Sequence, residues 1–415
     1  MWLNEKMEKN RERQAGFAGL RLTLADAEEA GGRRATWLEL FFDLVFVVAI
    51  GNLAKVLLGK HDVSGVLVFL GLFVPVWWAW IGISYFVDKY QLPEVALRLL
   101  MLTQIAFSLG LAVGLLSVVK GHPELFVASY VGLRLTLTAL HVWASRAHEE
   151  GRELNAKYAA GFAIGTALWA ASLAVDGSAR YWIWGVAIVL EIVATVLAYT
   201  TSRRIPAQVS HMDERFGLFT IIVLGESVIA VASGAKASGI ESAWPVAAVG
   251  LMLAGAVWWL YFDRMDHSVI DRALRSGRRA LLRSFVYGYS HLAVFASIVA
   301  TSMGVELAFE DAKTGSMEPD TNWLLYGGLA VYLAALTVVQ SSGRGNLPSR
   351  VLLARAAAVV ALVALGFVGS SLSLSLALLL GLLVVGALVT FEHLTFKSLP
   401  SGHVPHESPV SSAQP

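Results

Sequence analysis

Apolar residues recur along this chain in runs of about 20, the length that carries an α-helix across a bilayer core of roughly 30 Å. Read in order, the runs predict twelve spans, at 36–58, 63–87, 94–119, 123–146, 155–175, 179–200, 213–234, 243–263, 280–304, 322–341, 351–371 and 374–393. Glycines, prolines and charges fill the breaks, as in Gly59-Lys60-His61-Asp62 and Gln91-Leu92-Pro93-Glu94. Only a Ser-rich turn separates the last two spans. Pro75 falls inside the second run and predicts a kink there. Residues 1–35 are polar and mixed in sign, a tail too polar for a cleaved signal peptide. From residue 398 the chain is rich in Ser, Pro and His and reads as disordered. The expected fold is all-α and polytopic.

Composition agrees. The 415 residues are 56% hydrophobic and 15% charged, where soluble domains carry about 25% charged residues. A net charge of +1 says little about partners, and the absence of cysteine excludes disulfides, thiolate metal sites and Cys nucleophiles. Charge placement says more. With twelve spans, 25 of the 32 Lys and Arg fall on the side of the N-terminus, six on the other, and Arg134 lies within a span. The connection holding Arg264, Arg272, Arg275, Arg278, Arg279 and Arg283 is the most basic. An acidic connection with Glu306, Glu310, Asp311, Glu318 and Asp320 is expected opposite it. Positive loops stay in the cytoplasm, so the sequence predicts an inner (plasma) membrane protein with both termini cytoplasmic.

Parts of the pattern recur. Glu39-Leu40-Phe41 matches Glu214-Arg215-Phe216 at a spacing of 175 residues, and Asp88 matches Asp263 at the same spacing. Aromatic pairs precede both aspartates, Trp77-Trp78 and Trp258-Trp259. Further on, Tyr130-Val131-Gly132-Leu133 is similar to Tyr326-Gly327-Gly328-Leu329, and Gly185 to Pro206 is similar to Gly381 to Pro400. The order is the same throughout. We therefore expect a tail (1–35), two related six-helix halves (36–206 and 207–397) in parallel repeat, and a second tail (398–415).

Ionisable groups inside spans are expensive and mark function by default. Glu39 and Asp43 stand four residues apart, on one face of the first helix, with Asp43 about 10 Å deep at 1.5 Å per residue. Glu226, followed by Ser227, and Arg134 each lie about 18 Å from the cytoplasmic face, which predicts a Glu226–Arg134 pair. Glu191 lies about 13 Å deep. It can join these acids or hydrogen-bond Thr195. His291 occupies the ninth span, where a lone histidine is more often packing than proton relay. The tryptophans at 77, 78, 80, 258 and 259 read better as an aromatic belt than as a pore lining. No His/Cys/Asp/Glu spacing suits a metal, and no nucleophile elbow, P-loop or dinucleotide fingerprint appears. Neither an enzyme nor a cofactor is expected, and topology explains the basic loops without nucleic acid.

Two segments resemble the signatures of the bacterial low temperature requirement A (LtrA) family. They are Thr36-Trp-Leu-Glu-Leu-Phe-Phe-Asp-Leu-Val-Phe-Val47 and His211-Met-Asp-Glu-Arg-Phe-Gly-Leu-Phe-Thr-Ile-Ile-Val-Leu-Gly-Glu-Ser-Val-Ile229. The resemblance implies a multi-pass membrane protein linked to growth in the cold. A weaker similarity joins Phe41-Phe42-Asp43 to the F-S-D motif of a potassium channel family of six-helix units, with Phe42 in place of the Ser and Leu218 in place of the second Asp. The leading expectation is a transporter or channel for a cation, proton or small solute that uses Glu39, Asp43, Arg134, Glu191, Glu226, Ser227 and His291. The alternative is a membrane sensor or scaffold in low-temperature or stress adaptation. The expected partners are the bilayer and a small ion or solute, and the sequence is compatible with a homo-oligomer.

Overall fold

A computed structural model describes residues 23–24, 37–202, 211–238, 240–265, 278–342 and 347–398. Twelve long helices stand in these residues. They are α1 (Trp37–Gly59), α2 (Val63–Lys89), α3 (Glu94–Val118), α4 (Glu124–Ala147), α5 (Arg152–Ala171) and α6 (Ser178–Thr201). Then follow α7 (Met212–Ser238), α8 (Ile240–Phe262), α9 (Arg278–Asp311), α10 (Pro319–Ser341), α11 (Ser349–Val368) and α12 (Leu374–Lys397). Eleven are long and apolar enough to cross a membrane. The remaining helix, α5, carries Arg152, Glu153, Asn155 and Lys157 in its first turns and is less apolar for that reason.

Local signals set several boundaries. Asp62 caps α2, its Oδ1 accepting the Gly65 N–H at 2.8 Å. Helix α2 runs on through Pro75. The Ser-rich break is a turn at Gly369–Ser371, so α11 and α12 are separate helices, as expected. One difference concerns the acidic connection. Glu306, Glu310 and Asp311 belong to the last turns of α9, because Val305, Leu307, Ala308 and Phe309 keep an apolar face that is still buried there. A two-residue strand, Thr23–Leu24, pairs antiparallel with Tyr90–Gln91 at the end of α2, which the hydrophobic pattern does not reveal. The rest of both predicted tails and most of the basic connection (266–277) lie outside the described residues.

Packing follows chain order. Helix α1 packs on α2 and α3, α3 on α4, α4 on α5, and α5 on α6. Likewise α7 packs on α8 and α9, α9 on α10, α10 on α11, and α11 on α12. Helices α1 and α2 meet α7 and α9 between the two sets. The centre is α9, 78% buried across its apolar window, whereas α6 is 28% buried and turns Trp182, Val186 and Val189 outward. Outward apolar faces are what a bilayer requires.

The tryptophans divide. Trp258 and Trp259 are 49% and 43% exposed, as a belt would be. Trp77, Trp78 and Trp80 are not belt residues. They point into the bundle, where Trp80 lies 4.3 Å from the Phe219 ring and Trp77 lies 6.0 Å from Tyr289. The helices approach closely at small residues. A methyl added at Gly304 of α9 would stand 2.7 Å from the Leu325 Cα of α10. Gly304→Ala is therefore expected to cost about 1–3 kcal/mol by overpacking, read as a lower thermal midpoint in detergent.

Candidate functional site

Three buried arginine–carboxylate pairs hold the polar interior. The first lies where α1, α2 and α7 meet. Asp43 Oδ1 accepts from Arg215 Nη2 at 2.8 Å and from Trp80 Nε1 at 2.7 Å. Glu39, one turn earlier on the same face of α1, is also buried. The third pair joins α11 to α12. Arg355 donates Nε to Glu392 Oε1 at 2.6 Å and Nη2 to Oε2 at 2.8 Å, a bidentate fork. Its Nη2 also reaches Gln340 Oε1 of α10 at 2.7 Å.

The second pair is Arg134 of α4 with Glu191 of α6, at 1% and 0% exposure. Arg134 Nη2 donates to Glu191 Oε2, and Trp78 Nε1 of α2 donates to the same oxygen at 2.7 Å. The guanidinium lies 4.6 Å from the Phe162 ring centroid. Glu191 fits here because position 165 of α5 is a glycine; a Cβ there would collide with its Oε1. Arg134 Nε and Nη1 have no hydrogen-bond partner among the described residues.

A cavity of about 120 Å³ leads to this pair. It starts at Asp88, Lys89 and Tyr90, at the end of α2, and runs inward to Arg134. Aromatic rings form most of its wall, among them Trp78, Tyr158, Phe162, Tyr199, Phe285 and Tyr289. Asn155 braces one side, facing His141 Nδ1 at 2.9 Å and donating to Tyr90 Oη at 2.5 Å. Gly82 lines the cavity, and a Cβ on it would lie 3.1 Å from Arg134 Nη1, which is itself buried.

The other expected residues lie elsewhere. The Glu226–Arg134 pair does not form: Arg134 takes Glu191, and Glu226 faces α1, with Oε2 3.6 Å from where a Cβ on Gly51 would be. Depth along a helix does not fix the direction a side chain points, and Glu191 lies about one helical turn shallower than Glu226. Ser227 Oγ lies 2.7 Å from Ser302 Oγ, beside a void of about 10 Å³. His291 is enclosed, with Nε2 3.0 Å from Tyr261 Oη, Nδ1 2.8 Å from the Tyr287 carbonyl, and Phe216 stacked on it at 4.2 Å. Thr195 donates to the Glu191 backbone carbonyl, not to its carboxylate. Among the described residues no group of three His, Cys, Asp or Glu could hold a metal ion.

Many apolar helices around paired internal charges define a multi-pass integral membrane protein. The family model of the bacterial low temperature requirement A protein (LtrA) matches residues 34–390, and the chain belongs to that family. It is 25% identical over 292 residues to the uncharacterized protein RA0937 of Rhizobium meliloti (strain 1021), covering 68% of this chain and 71% of that protein. No solved structure matches.

Proposed function

We propose that this LtrA-family protein is a membrane transport protein. A small ion or solute enters between the first half and α9, from the side that carries the N-terminal tail, and meets the Arg134–Glu191 pair at depth. One observation carries the reading: a cavity inside a membrane bundle ends on a buried ion pair with unused donors. A pair that only fixes packing has no need of an open approach. Glu191 is then the pathway carboxylate, and Asp43 with Glu39 couples the halves at their contact. The positive side is the cytoplasm, which puts both termini there and the protein in the inner membrane. Equivalent packing order supports two repeated halves. So does a matching close approach: Gly114 of α3 against the Phe126 backbone of α4, and Gly304 of α9 against the Leu325 backbone of α10.

The test is ion and solute flux in proteoliposomes, with and without a pH gradient. Arg134→Lys and Glu191→Gln are each expected to reduce flux at least about tenfold, as loss of a hydrogen bond to a charged group would, while eluting as folded protein. Wild-type flux in both variants would sink the mechanism. A second reading, a sensor or scaffold, is favoured by the closure of Asp43 between Arg215 and Trp80, since such a cluster fixes packing without any solute. It predicts no flux of any tested ion and a protein partner bound at the tails.

A further inference from the structure

We infer that Glu226 is a proton-binding site, reached along α1 from the face opposite the N-terminal tail. The site does not depend on any transported solute.

A missing partner points to it. A carboxylate inside a membrane is expensive, and such acids are paired or functional. Asp43, Glu191 and Glu392 each hold an arginine. Glu226, near the middle of α7, is 6% exposed yet makes no ion pair and no hydrogen bond among the described residues. The polar groups around it are engaged elsewhere. Ser227 Oγ lies 2.7 Å from Ser302 Oγ. On α1, Asn52 Nδ2 donates to the Ala112 carbonyl at 2.9 Å, and Lys55 Nζ reaches Asn52 Oδ1 at 3.5 Å. Glu226 Oε2 itself lies against Gly51, which has no side chain to offer.

Charge and ligand count choose the proton. Among the described side chains, those whose charges act on Glu226 are Glu306 of α9 and Lys55 of α1, and Glu310, one turn beyond Glu306, acts on Glu306. Glu306 is half-buried and opposes a second negative charge nearby. Lys55 is exposed to solvent and turned toward Asn52; it favours the ionised form and so helps to set the pH at which the proton leaves. A metal ion needs several oxygens, and among the described residues no group of three His, Cys, Asp or Glu could hold one. A proton needs a single oxygen. It also has a way in. Asp43 Oδ2 and Glu191 Oε1 are sealed, whereas both Glu226 oxygens keep some open surface. From Gly51, α1 runs about 12 Å further to its end at Gly59, and Lys55 is exposed on the way.

The experiment uses the full chain in nanodiscs and dicyclohexylcarbodiimide, an apolar reagent that couples to carboxyl groups still carrying a proton. Mass spectrometry then finds the labelled residue. At about pH 7 an ordinary glutamate, which titrates near about 4.3, is ionised and does not react. Glu226 is expected to be labelled there, with labelling lost as the pH rises. Glu306→Gln removes the opposing charge, so the loss should come about one pH unit lower. Lys55→Gln removes the favouring charge and should shift the loss about as far upward. Neither position is fully buried, so folding is not at stake. Infrared spectra give a second readout without the reagent: a protonated-carboxyl band at about pH 7 should disappear in Glu226→Gln, which keeps the shape of the side chain. Absence of both label and band at Glu226, or one midpoint shared by the wild type and both variants, overturns the inference. Label and band in a protein that carries no solute leave the site standing and remove transport alone.

Discussion

Glu191→Leu is expected to lower stability by about 3–5 kcal/mol, because it strands the Arg134 charge in a dry interior. The rings of Phe162, Trp78 and Tyr130 around the guanidinium offset part of this loss. A cation–π contact contributes about 0.5–2 kcal/mol, so the rings cannot stand in for the carboxylate. The double variant Arg134→Met/Glu191→Leu removes both charges and should recover most of the loss, since a well-packed apolar replacement of a buried pair is often neutral or better. Thermal unfolding of the three variants in detergent checks this. A single-variant cost under about 1 kcal/mol, the range of exposed pairs, would mean that water from the cavity already solvates Arg134.

The second large effect belongs to Asp43→Leu. Arg215 and Trp80 both lose their acceptor, and the expected cost is again about 3–5 kcal/mol. This pair ties α1 and α2 to α7, so the damage falls where the two sets of six helices meet. Arg215→Met/Asp43→Leu should restore the thermal midpoint. Flux in that rescued protein separates the two roles of Asp43. If Asp43 passes an ion or proton, the double variant is stable and inactive; if it only joins the halves, stability and flux return together.

The helices were legible because each must bury every backbone polar group within itself, which demands a long apolar run. Helix α5 was legible from its second half, although Asn155 and Lys157 dilute its beginning. Side-chain partners were not legible. Counting charges assigns Arg215 and Arg355 to cytoplasmic connections, yet both turn inward, at 3% and 1% exposure. The available signal was depth from a common face. Arg215 and Asp43 each lie within two turns of the helix starts, and Arg355 and Glu392 match in the same way across α11 and α12. Depth alone also brought Arg134 to Glu226, because rise per residue carries no information about azimuth. What identifies Glu191 as the partner is the glycine at 165, which leaves room for its carboxylate on α5. That requirement appears only once the helices are placed. The inward Trp77, Trp78 and Trp80 were hidden for a related reason: a tryptophan suits the membrane interface as well as a buried carboxylate.

Each buried arginine keeps its own carboxylate: Arg134 with Glu191, Arg215 with Asp43, Arg355 with Glu392. A rearrangement that preserves these pairs moves no net charge of theirs through the membrane field. A potential of 100 mV acts on one elementary charge with about 2.3 kcal/mol, so voltage would act on the cargo while these three pairs stayed electrically silent. Flux of a neutral solute should then ignore membrane voltage, and flux of a monovalent anion should follow it with the weight of a single charge.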